Sequence, residues 1–259
     1  MAAGLFFELH NLMAVALLGV ARLAPLFFMM PFLNSGVLTG APRQAVLFLL
    51  ALALTPLIGE QLPALDSLAF LGLLLREAGI GTLLGCLLCW PFWVLHGMGN
   101  LIDNQRGAML SNVIDPANGV DNSELAGFLQ MFAAVIYLEG GGLLLMLQAI
   151  ELSYQLCDPG RSCGFSLSAV AALLDAIVAK TLAISAPVVA TLLLSEALLG
   201  LLSRYAQQMN AFSVSLTIKS LVALVVLLLY FGTHLPEEIM RMAAVPQYLP
   251  QYLQAEEPH

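Results

Sequence analysis

Charged residues are scarce in this sequence. They make up 10% of its 259 residues, whereas hydrophobic residues make up 60%. A soluble domain of this length carries about 25% charged residues, because its large outer surface has to face water. So many apolar side chains, with a mean hydropathy of +0.90, have to face lipid or other proteins. The composition therefore predicts a membrane protein.

Basic residues are scarcer still. Nine Lys and Arg stand against 17 Asp and Glu, which gives a formal net charge of −8. Nucleic-acid binding needs clustered cations that neutralise phosphates, and the sequence contains no such cluster. The first 32 residues also lack the basic start and small-residue cleavage site of a removable signal peptide. We therefore expect no nucleic-acid partner and a retained first span.

Residues that catalyse reactions or bind metals lack suitable spacing. The four histidines are scattered, without an H-E-x-x-H pattern. Cys86 and Cys89 have C-x-x-C spacing but lie in an apolar run, which favours core packing. Cys157 and Cys163 flank a turn-like segment and would form a disulfide if that segment faces the periplasm. We expect no catalytic residue, no cofactor and no metal site.

Apolar runs of membrane-spanning length follow one another along the chain. A bilayer core of about 30 Å needs roughly 20 helical residues. The runs predict an all-α membrane protein of about six helical segments, or eight if the longest runs break. Pro91 and Pro187 lie inside runs and favour kinks. Too few Lys and Arg lie between the runs to predict their orientation. The runs cover residues 11–33, 44–62, 68–100, 125–152, 167–202 and 213–233.

Several charges interrupt these runs, and each must face protein or water because an ionised group is costly in lipid. One interpretation is an ion or proton relay. The other is that the charges lie near helix ends or pair within an oligomer. We find neither paired positions nor an inverted repeat, although a stand-alone small-solute transporter or channel stays the alternative function. The charges are Arg22, Glu77, Glu139, Glu151, Asp175, Lys180, Glu196 and Lys219.

Small residues recur at a spacing that places them on one helix face. Gly81 and Gly85 are four residues apart, as are Ala179 and Ala183. This spacing lets helices approach closely and is typical of helix contacts in membranes. The run Gly140–Gly142 weakens a helix by about 1 kcal/mol per glycine. It predicts close packing or a helix break.

The segment 101–128, LIDNQRGAMLSNVIDPANGVDNSELAGF, is unusually polar for this chain. It is rich in Gly, Asn and acidic residues, yet it carries an apolar group in its middle. From the residues alone, a solvated connector with apolar residues packed beneath it is the simpler interpretation. That apolar group consists of Met109, Leu110, Val113 and Ile114.

The order of these features resembles a known family. Residues 91–116 carry Pro91-Phe92-Trp93, then Gly97, then Asp103-x-x-Arg106-Gly107, then Asp115-Pro116. This pattern resembles the central signature of the FliR/SpaR/SctT family, the inner-membrane export-apparatus proteins of flagella and type III secretion injectisomes.

Two further blocks support the resemblance, which then covers nearly the whole chain. The block 195–220 is similar to the C-terminal signature of the family, and the block 21–33 is similar to an early signature. The wording AQQMN favours the injectisome branch, whereas Thr217 replaces a proline that is usual there. The matching residues are Arg22, Pro25 and Pro31 in the early block and Arg204, Gln208, Asn210 and Lys219 in the C-terminal block.

The resemblance implies a subunit of the bacterial inner membrane that is raised partly toward the periplasm. Its partners would be SctR-like and SctS-like subunits, an SctU-like switch protein, inner rod or needle components, and exported proteins in transit. Helical hairpins would form a spiral hetero-oligomer around an export channel. Residues 1–165 would resemble the SctR-like partner and residues 166–233 the SctS-like partner, followed by an acidic tail over 234–259.

The resemblance also gives the polar segment a role. In this family the segment projects into the channel as a plug. Apolar side chains at a constriction exclude water and ions, and a long loop in a compact protein is more often functional than not. The expected plug or gate residues are Met109, Leu110, Val113, Ile114, Asp115 and Pro116.

Overall fold

The computed structural model describes residues 2–34, 36–57, 67–108, 123–159, 163–165, 167–205, 211–232 and 234–255. Helices dominate these ranges, and the expected all-α fold class is confirmed. The helices are α1 (Ala2–Met29), α2 (Ala41–Ala53), α3 (Leu68–Arg106), α4 (Glu124–Glu139), α5 (Gly142–Leu156), α6 (Leu167–Tyr205), α7 (Ala211–Phe231), α8 (Leu235–Ala243) and α9 (Leu249–Tyr252). Short 3₁₀ turns cover Thr55–Leu57 and Val245–Gln247. Two strands, β1 (Cys163–Phe165) and β2 (Leu253–Ala255), form an antiparallel pair.

Four helices of the described residues are long and apolar enough to cross a membrane. The spans lie at Leu12–Met29, Leu68–Arg106, Ser168–Tyr205 and Val214–Phe231, and α4 with α5 can form a fifth, broken span. Helices satisfy their own backbone hydrogen bonds, which is why they are suited to lipid. The predicted membrane protein is therefore confirmed. Pro25, Pro91 and Pro187 lie inside α1, α3 and α6, and each helix continues through its proline.

The glycine run at 140–142 interrupts the fourth apolar run, as predicted. Helix α4 is capped by Gly140, and Gly141 begins α5 from a left-handed conformation with φ +81°. Side chains with a Cβ rarely adopt that conformation, whereas glycine does so readily. A Cβ on Gly140 would also collide with the sulfur of Met240. Both predicted causes, a break and close packing, act here.

The chain divides into two compact units. The first comprises Met1–Trp90, Gly141–Leu173 and Ala243–His259. Its core contains Leu18, Leu26, Leu84 and Ile150, each at most 1% exposed. A Cβ on Gly81 would collide with the carbonyl oxygen of Arg22. The predicted close approach of helices at this small residue is therefore found, between α1 and α3.

The second unit comprises Pro91–Gly140 and Leu174–Met242. The rings of Phe92 and Tyr137 pack edge to face with their centroids 5.3 Å apart. A Cβ on Gly99 would collide with the backbone of Ala126, so α3 and α4 also cross at a glycine. This crossing lies four residues before Asp103, and it fixes where α3 ends relative to the start of α4.

Helices α6 and α7 leave much of their apolar surface uncovered by this chain. Only 28% of the α6 span and 17% of the α7 span is buried, whereas 67% of the α3 span is buried. Ala179 and Ala183 are exposed on α6, together with several leucines. Continuous apolar surface of this kind is covered by lipid or by partner helices.

Candidate functional site

Asp103 joins the end of α3 to the start of α4. Its side chain is 2% exposed, and its Oδ1 accepts a hydrogen bond from Nε of Arg106 at 2.7 Å. Its Oδ2 accepts from the hydroxyl of Ser123 and from the backbone N–H of Leu125 at 3.2 Å. A carboxylate that is removed from water requires such partners, because an unpaired buried charge is costly. One buried carboxylate therefore binds both helix ends.

Each of these helix ends has a clear local cause. Gly107 follows α3 with φ +77°, which suits glycine at a helix C-terminus. The next backbone N–H, of Ala108, donates to the carbonyl oxygen of Asp103 at 3.0 Å. Ser123 is the N-cap of α4, and its hydroxyl oxygen accepts from the N–H of Ala126 at 3.0 Å. The acidic residue Glu124 in the first turn is favourable at a helix N-terminus.

The expected plug residues belong to the segment between these two ends. Residues 109–122 lie outside the described residues, and with them the six expected positions Met109, Leu110, Val113, Ile114, Asp115 and Pro116. The three motif residues that precede the segment, Asp103, Arg106 and Gly107, are described and lie together.

A partly polar pocket adjoins this junction on the α3 and α4 side. It is open on one side, has a volume of about 690 Å³, and includes residues from both helices. The polar groups His96, Asn100 and Glu124 line it together with Phe128 and Met131. The pocket therefore offers both hydrogen-bonding groups and apolar contact.

Arg22 lies at the centre of a second polar network, in the first unit. It is 0% exposed, and its Nε donates to Oε2 of Glu77 at 2.6 Å. Its two terminal nitrogens donate to Oγ of Ser153 at 3.1 Å and to the carbonyl oxygen of Cys157 at 2.8 Å. The guanidinium carbon lies 3.8 Å from the centroid of the Tyr154 ring, a cation–π contact.

A second arginine completes this network at its edge. Arg76 donates to Oε1 of Glu77 at 3.1 Å and to the carbonyl oxygen of Asp158 at 3.0 Å. Glu77 is 0% exposed and therefore pairs with two guanidinium groups, which offsets its loss of hydration. The network fixes α1 and α3 to the C-terminal end of α5, where Cys157 forms a disulfide with Cys163.

The C-terminal block carries an ion pair within otherwise apolar helices. Nζ of Lys219 on α7 lies 3.0 Å from Oε2 of Glu196 on α6, with side chains 10% and 56% exposed. Arg204 is exposed near the end of α6. Gln208 and Asn210, two further motif residues, lie outside the described residues.

A further ion pair links α6 to α8. Lys180 pairs with Glu238, which Arg241 also contacts at 3.1 Å. The hydrogen bond from Lys180 holds the pKa of the Glu238 carboxyl below its ordinary value, although partial burial acts in the opposite direction. The pair fixes α8 on the second unit.

Comparison with known proteins identifies the chain. Residues 13–242 match the sequence model of the bacterial export proteins, family 1. The chain belongs to this family. The surface presentation of antigens protein SpaR of Salmonella typhimurium strain LT2 is 54% identical over 239 residues, which cover 92% of this chain and 91% of SpaR. SpaR of Shigella flexneri is 45% identical over 232 residues, covering 88% and 90%. The flagellar biosynthetic protein FliR of Bacillus subtilis strain 168 is 27% identical over 224 residues, covering 84% and 86%.

The predicted membership of the FliR/SpaR/SctT family is thereby confirmed. Identity to the two SpaR proteins exceeds identity to the flagellar FliR, in agreement with the favoured injectisome branch. Of the family-motif residues, Asp103 and Arg106 form one contact, whereas Arg22 belongs to a separate network in the other unit. Pro25 is half-buried in α1, and Pro91 is buried in α3.

Sequence reasoning missed the partners of these family residues. It found no paired charges inside the apolar runs, yet Arg22 pairs with Glu77 and Lys219 pairs with Glu196. These partners are 55 and 23 positions apart, so no local spacing reveals them. The available signal was energetic, since a charge inside an apolar run needs a counter-charge in the protein. Glu139, Glu151 and Asp175 are exposed.

A metal site is not apparent in the part of the chain that the structure describes. Among those residues, no group of three or more His, Cys, Asp or Glu side chains is placed to hold a metal ion. Cys89 is buried in α3 and Cys86 is half-buried, and both are free thiols.

Proposed function

We propose that this chain is an inner-membrane subunit of a type III secretion export apparatus, in which it helps to form and seal the protein-export channel. The observation that carries the sealing role is the fixation of both ends of segment 109–122 on one buried carboxylate, Asp103. The match of residues 13–242 to the bacterial export proteins, family 1, supports protein export as the process. A sealing element has to open reversibly while its base keeps its position.

Asp103 holds the two ends of the segment in fixed positions. The hydroxyl of Ser123 and the N–H of Leu125 bind Oδ2, while Arg106 binds Oδ1. A loop whose two ends are already joined has less conformational freedom to lose when its tip becomes ordered. Apolar residues on such a loop can therefore occupy a constriction and leave it again. We assign the seal to the six expected plug or gate residues, Met109, Leu110, Val113, Ile114, Asp115 and Pro116.

The partner subunits follow from surface that this chain leaves uncovered. The α7 span is 17% buried and the α6 span is 28% buried. Glu196 is 56% exposed there, and Asp175 is exposed as well. Ionised groups are too costly in hydrocarbon to face lipid, so partner helices or water must cover them. SctR-like and SctS-like subunits in a spiral assembly would provide such helices.

The internal organisation of the chain belongs to the same proposal. Residues 1–165 would take the place of an SctR-like subunit, and residues 166–233 that of an SctS-like hairpin. The pairing of Lys219 on α7 with Glu196 on α6 supports a hairpin in the second part. Residues 234–259 would follow as a C-terminal extension. An SctU-like switch protein, inner rod or needle components and exported proteins would contact the assembled complex, which we place partly above the bilayer.

Replacing the apolar residues of the segment tests the seal. We expect the variant with Met109, Leu110, Val113 and Ile114 all changed to Ser to assemble with its partners, because its helix contacts are unchanged. Cells carrying that complex should leak ions between secretion events, since a polar constriction fills with water. Membrane conductance and sensitivity to small permeants are the measurements.

A matched control changes polar residues in the same segment. Ser111→Ala with Asn118→Ala alters the loop without removing an apolar side chain, and this variant should stay tight. An assembled four-serine complex that is as tight as the control would overturn the sealing role. The segment would then be a connector between α3 and α4.

A further inference from the structure

Cys157 and Cys163 form a bridge at the end of α5. Cys157 directly follows α5 and is 1% exposed, and Cys163 begins β1. Their Cα atoms are 5.4 Å apart, which is within the range that disulfides require. Both cysteines belong to the first unit. The remaining cysteines, Cys86 and Cys89, are free.

The bridge lies where the end of α5 meets α1, α3 and the pair of strands β1 and β2. The carbonyl oxygen of Cys157 accepts from the buried guanidinium of Arg22 at 2.8 Å, and the next carbonyl, of Asp158, accepts from Arg76. Cys163 opposes Ala255 in the pairing of β1 with β2. The disulfide therefore connects Cys157, whose carbonyl oxygen accepts from Arg22, to β1, the strand that pairs with the C-terminal strand β2.

Disulfides persist in oxidising compartments and are reduced in the cytosol. The pairing of β1 with β2 puts the C-terminal strand on the same side of the membrane as the bridge. Two spans, α6 and α7, separate these strands along the chain, and an even number of crossings returns the chain to one side. Arg204, at the other end of α6, then falls on the cytoplasmic side, and Arg241 falls on the oxidising side. The acidic residues Glu237 and Glu238 fall on the oxidising side.

We infer that the Cys157–Cys163 pair is oxidised on the periplasmic face and that the resulting bridge fixes the Cys157 carbonyl beneath Arg22. The bridge is formed by a periplasmic dithiol oxidase whose own disulfide is the electron acceptor. This inference rests on the inner-membrane location in the proposed function, but not on the sealing role of segment 109–122.

The exchange balances in two steps. The thiolate of one cysteine attacks the disulfide of the oxidase, which forms a mixed disulfide and releases one oxidase thiolate. The thiolate of the second cysteine attacks the mixed disulfide at the sulfur of the first, which forms the Cys157–Cys163 bond and releases the second oxidase thiolate. The pair loses two electrons and two protons, and the oxidase gains them as two thiols.

Counting free thiols in the full chain tests the oxidation. Membranes from cells that produce the whole complex are quenched with acid and then alkylated under denaturing conditions with a maleimide of large mass. We expect two labels without a reductant, on Cys86 and Cys89, and four labels after reduction. The C157S/C163S variant should carry two labels under both conditions. Four labels on the unreduced native chain would overturn the inference.

The role of the oxidase is tested in cells that lack periplasmic dithiol oxidases. The native chain should then carry four labels without a reductant. An unchanged count of two would overturn the assignment of a dithiol oxidase as the electron acceptor and of the periplasmic face. The C86S/C89S variant, which retains only the bridged pair, should change from zero labels to two in those cells. Thiol counts do not depend on secretion or on a leak, so they separate this inference from the proposed function.

The effect of the bridge on the anchor, by which we mean the hydrogen bond from Arg22 to the Cys157 carbonyl, has its own measurement. Reduction should lower the Tm of the purified complex by about 4 °C, because a short closed loop is opened. The C157S/C163S complex should start from the lower Tm and show no change with reductant. Equal Tm values for the reduced and oxidised native complex would mean that the bridge does not support the anchor.

Discussion

Nε of Arg22 lies 2.6 Å from Oε2 of Glu77, and both side chains are 0% exposed. The two residues come from α1 and α3, which approach so closely at Gly81 that a Cβ there would meet the Arg22 backbone. Close packing excludes water from the pair, and the other acceptors around Arg22 replace that water. The helix crossing and the ion pair thus depend on each other.

Neutralising Glu77 should therefore destabilise the chain severely. Glu77→Gln leaves a buried guanidinium without its counter-charge, and breaking one side of such a pair costs about 3–5 kcal/mol. We expect the amount of chain in membranes to fall several-fold. The matched control is Glu151→Gln, the same chemical change at an exposed position of α5. Equal amounts of the two variants would contradict a stabilising role for the pair.

Adding one methyl group at Gly81 should have a comparable effect. Gly81→Ala brings a Cβ against backbone atoms of Arg22, which are unable to rotate away as a side chain would. Gly79→Ala meets nothing within 4 Å on the same helix and should be neutral or stabilising by up to about 1 kcal/mol. Thermal unfolding of the two purified variants gives the comparison. A stable Gly81→Ala chain would mean that α1 and α3 are less closely packed.

Removing the carboxylate at the α3–α4 junction should open the channel without removing the protein. Asp103→Ala deletes the acceptor for Ser123, Leu125 and Arg106. The cap of α4 by Ser123 and the crossing of α3 and α4 at Gly99 do not involve the carboxylate and should remain. We expect an assembled complex that leaks ions. Glu237→Ala, at an exposed acidic position of α8, is the control for loss of negative charge. If conductance is equally low in both, Asp103 does not control the seal.

Lys219 should matter for secretion more than for stability. The side chain of Lys219 is 10% exposed, but its partner Glu196 is 56% exposed, so water screens the pair from the glutamate side. An ion pair that water reaches contributes about 0–1 kcal/mol. Lys219→Ala should therefore reduce secretion while the amount of chain stays nearly constant, and the exposed Arg204→Ala should do the same. Glu196→Gln removes the ion pair but keeps the charge of Lys219, so it shows whether secretion depends on the pair or on the lysine charge. Normal secretion by Lys219→Ala would reduce this lysine to a residue that only extends its charge to water.

The contact between Lys180 and Glu238 should weaken in acid. The lowered pKa of the Glu238 carboxyl means that its ionised form is stabilised by folding. That stabilisation is complete above the ordinary value of 4.5 and is lost as the pH falls through the lowered pKa. The Tm difference between the native chain and Glu238→Gln should therefore shrink as the pH falls below 4.5. A constant difference over that range would contradict the contact.

Much of the fold could be predicted from composition and spacing, because both act locally. Long apolar runs predicted helices, and the Gly140–Gly142 run predicted the break between α4 and α5. Gly81 and Gly85 predicted a close helix contact, since both bring their positions near α1. These features depend on a few neighbouring residues, and a single sequence contains that information.

The polar contacts could not be predicted in the same way. Which acceptor meets Arg22 depends on how three helices cross, and Ser153 and Cys157 lie more than 130 positions away. The Cys157–Cys163 bridge was an open alternative, because a disulfide depends on the distance and direction of two backbone positions. Family resemblance named Asp103 and Arg106 but not Ser123, which completes their junction.

Asp103 fixes the end of α3 relative to the start of α4 by contacts that do not involve residues 109–122. The free energy of closing a flexible chain segment changes slowly with its number of residues, by about 0.6 kcal/mol for each doubling. The length of the segment between α3 and α4 should therefore have little effect on the contacts by which Asp103 holds the two helices together. Segments of different length and sequence could then be exchanged at this position without shifting either helix. Evolution or protein design could therefore alter residues 109–122 independently of the two helices that Asp103 joins.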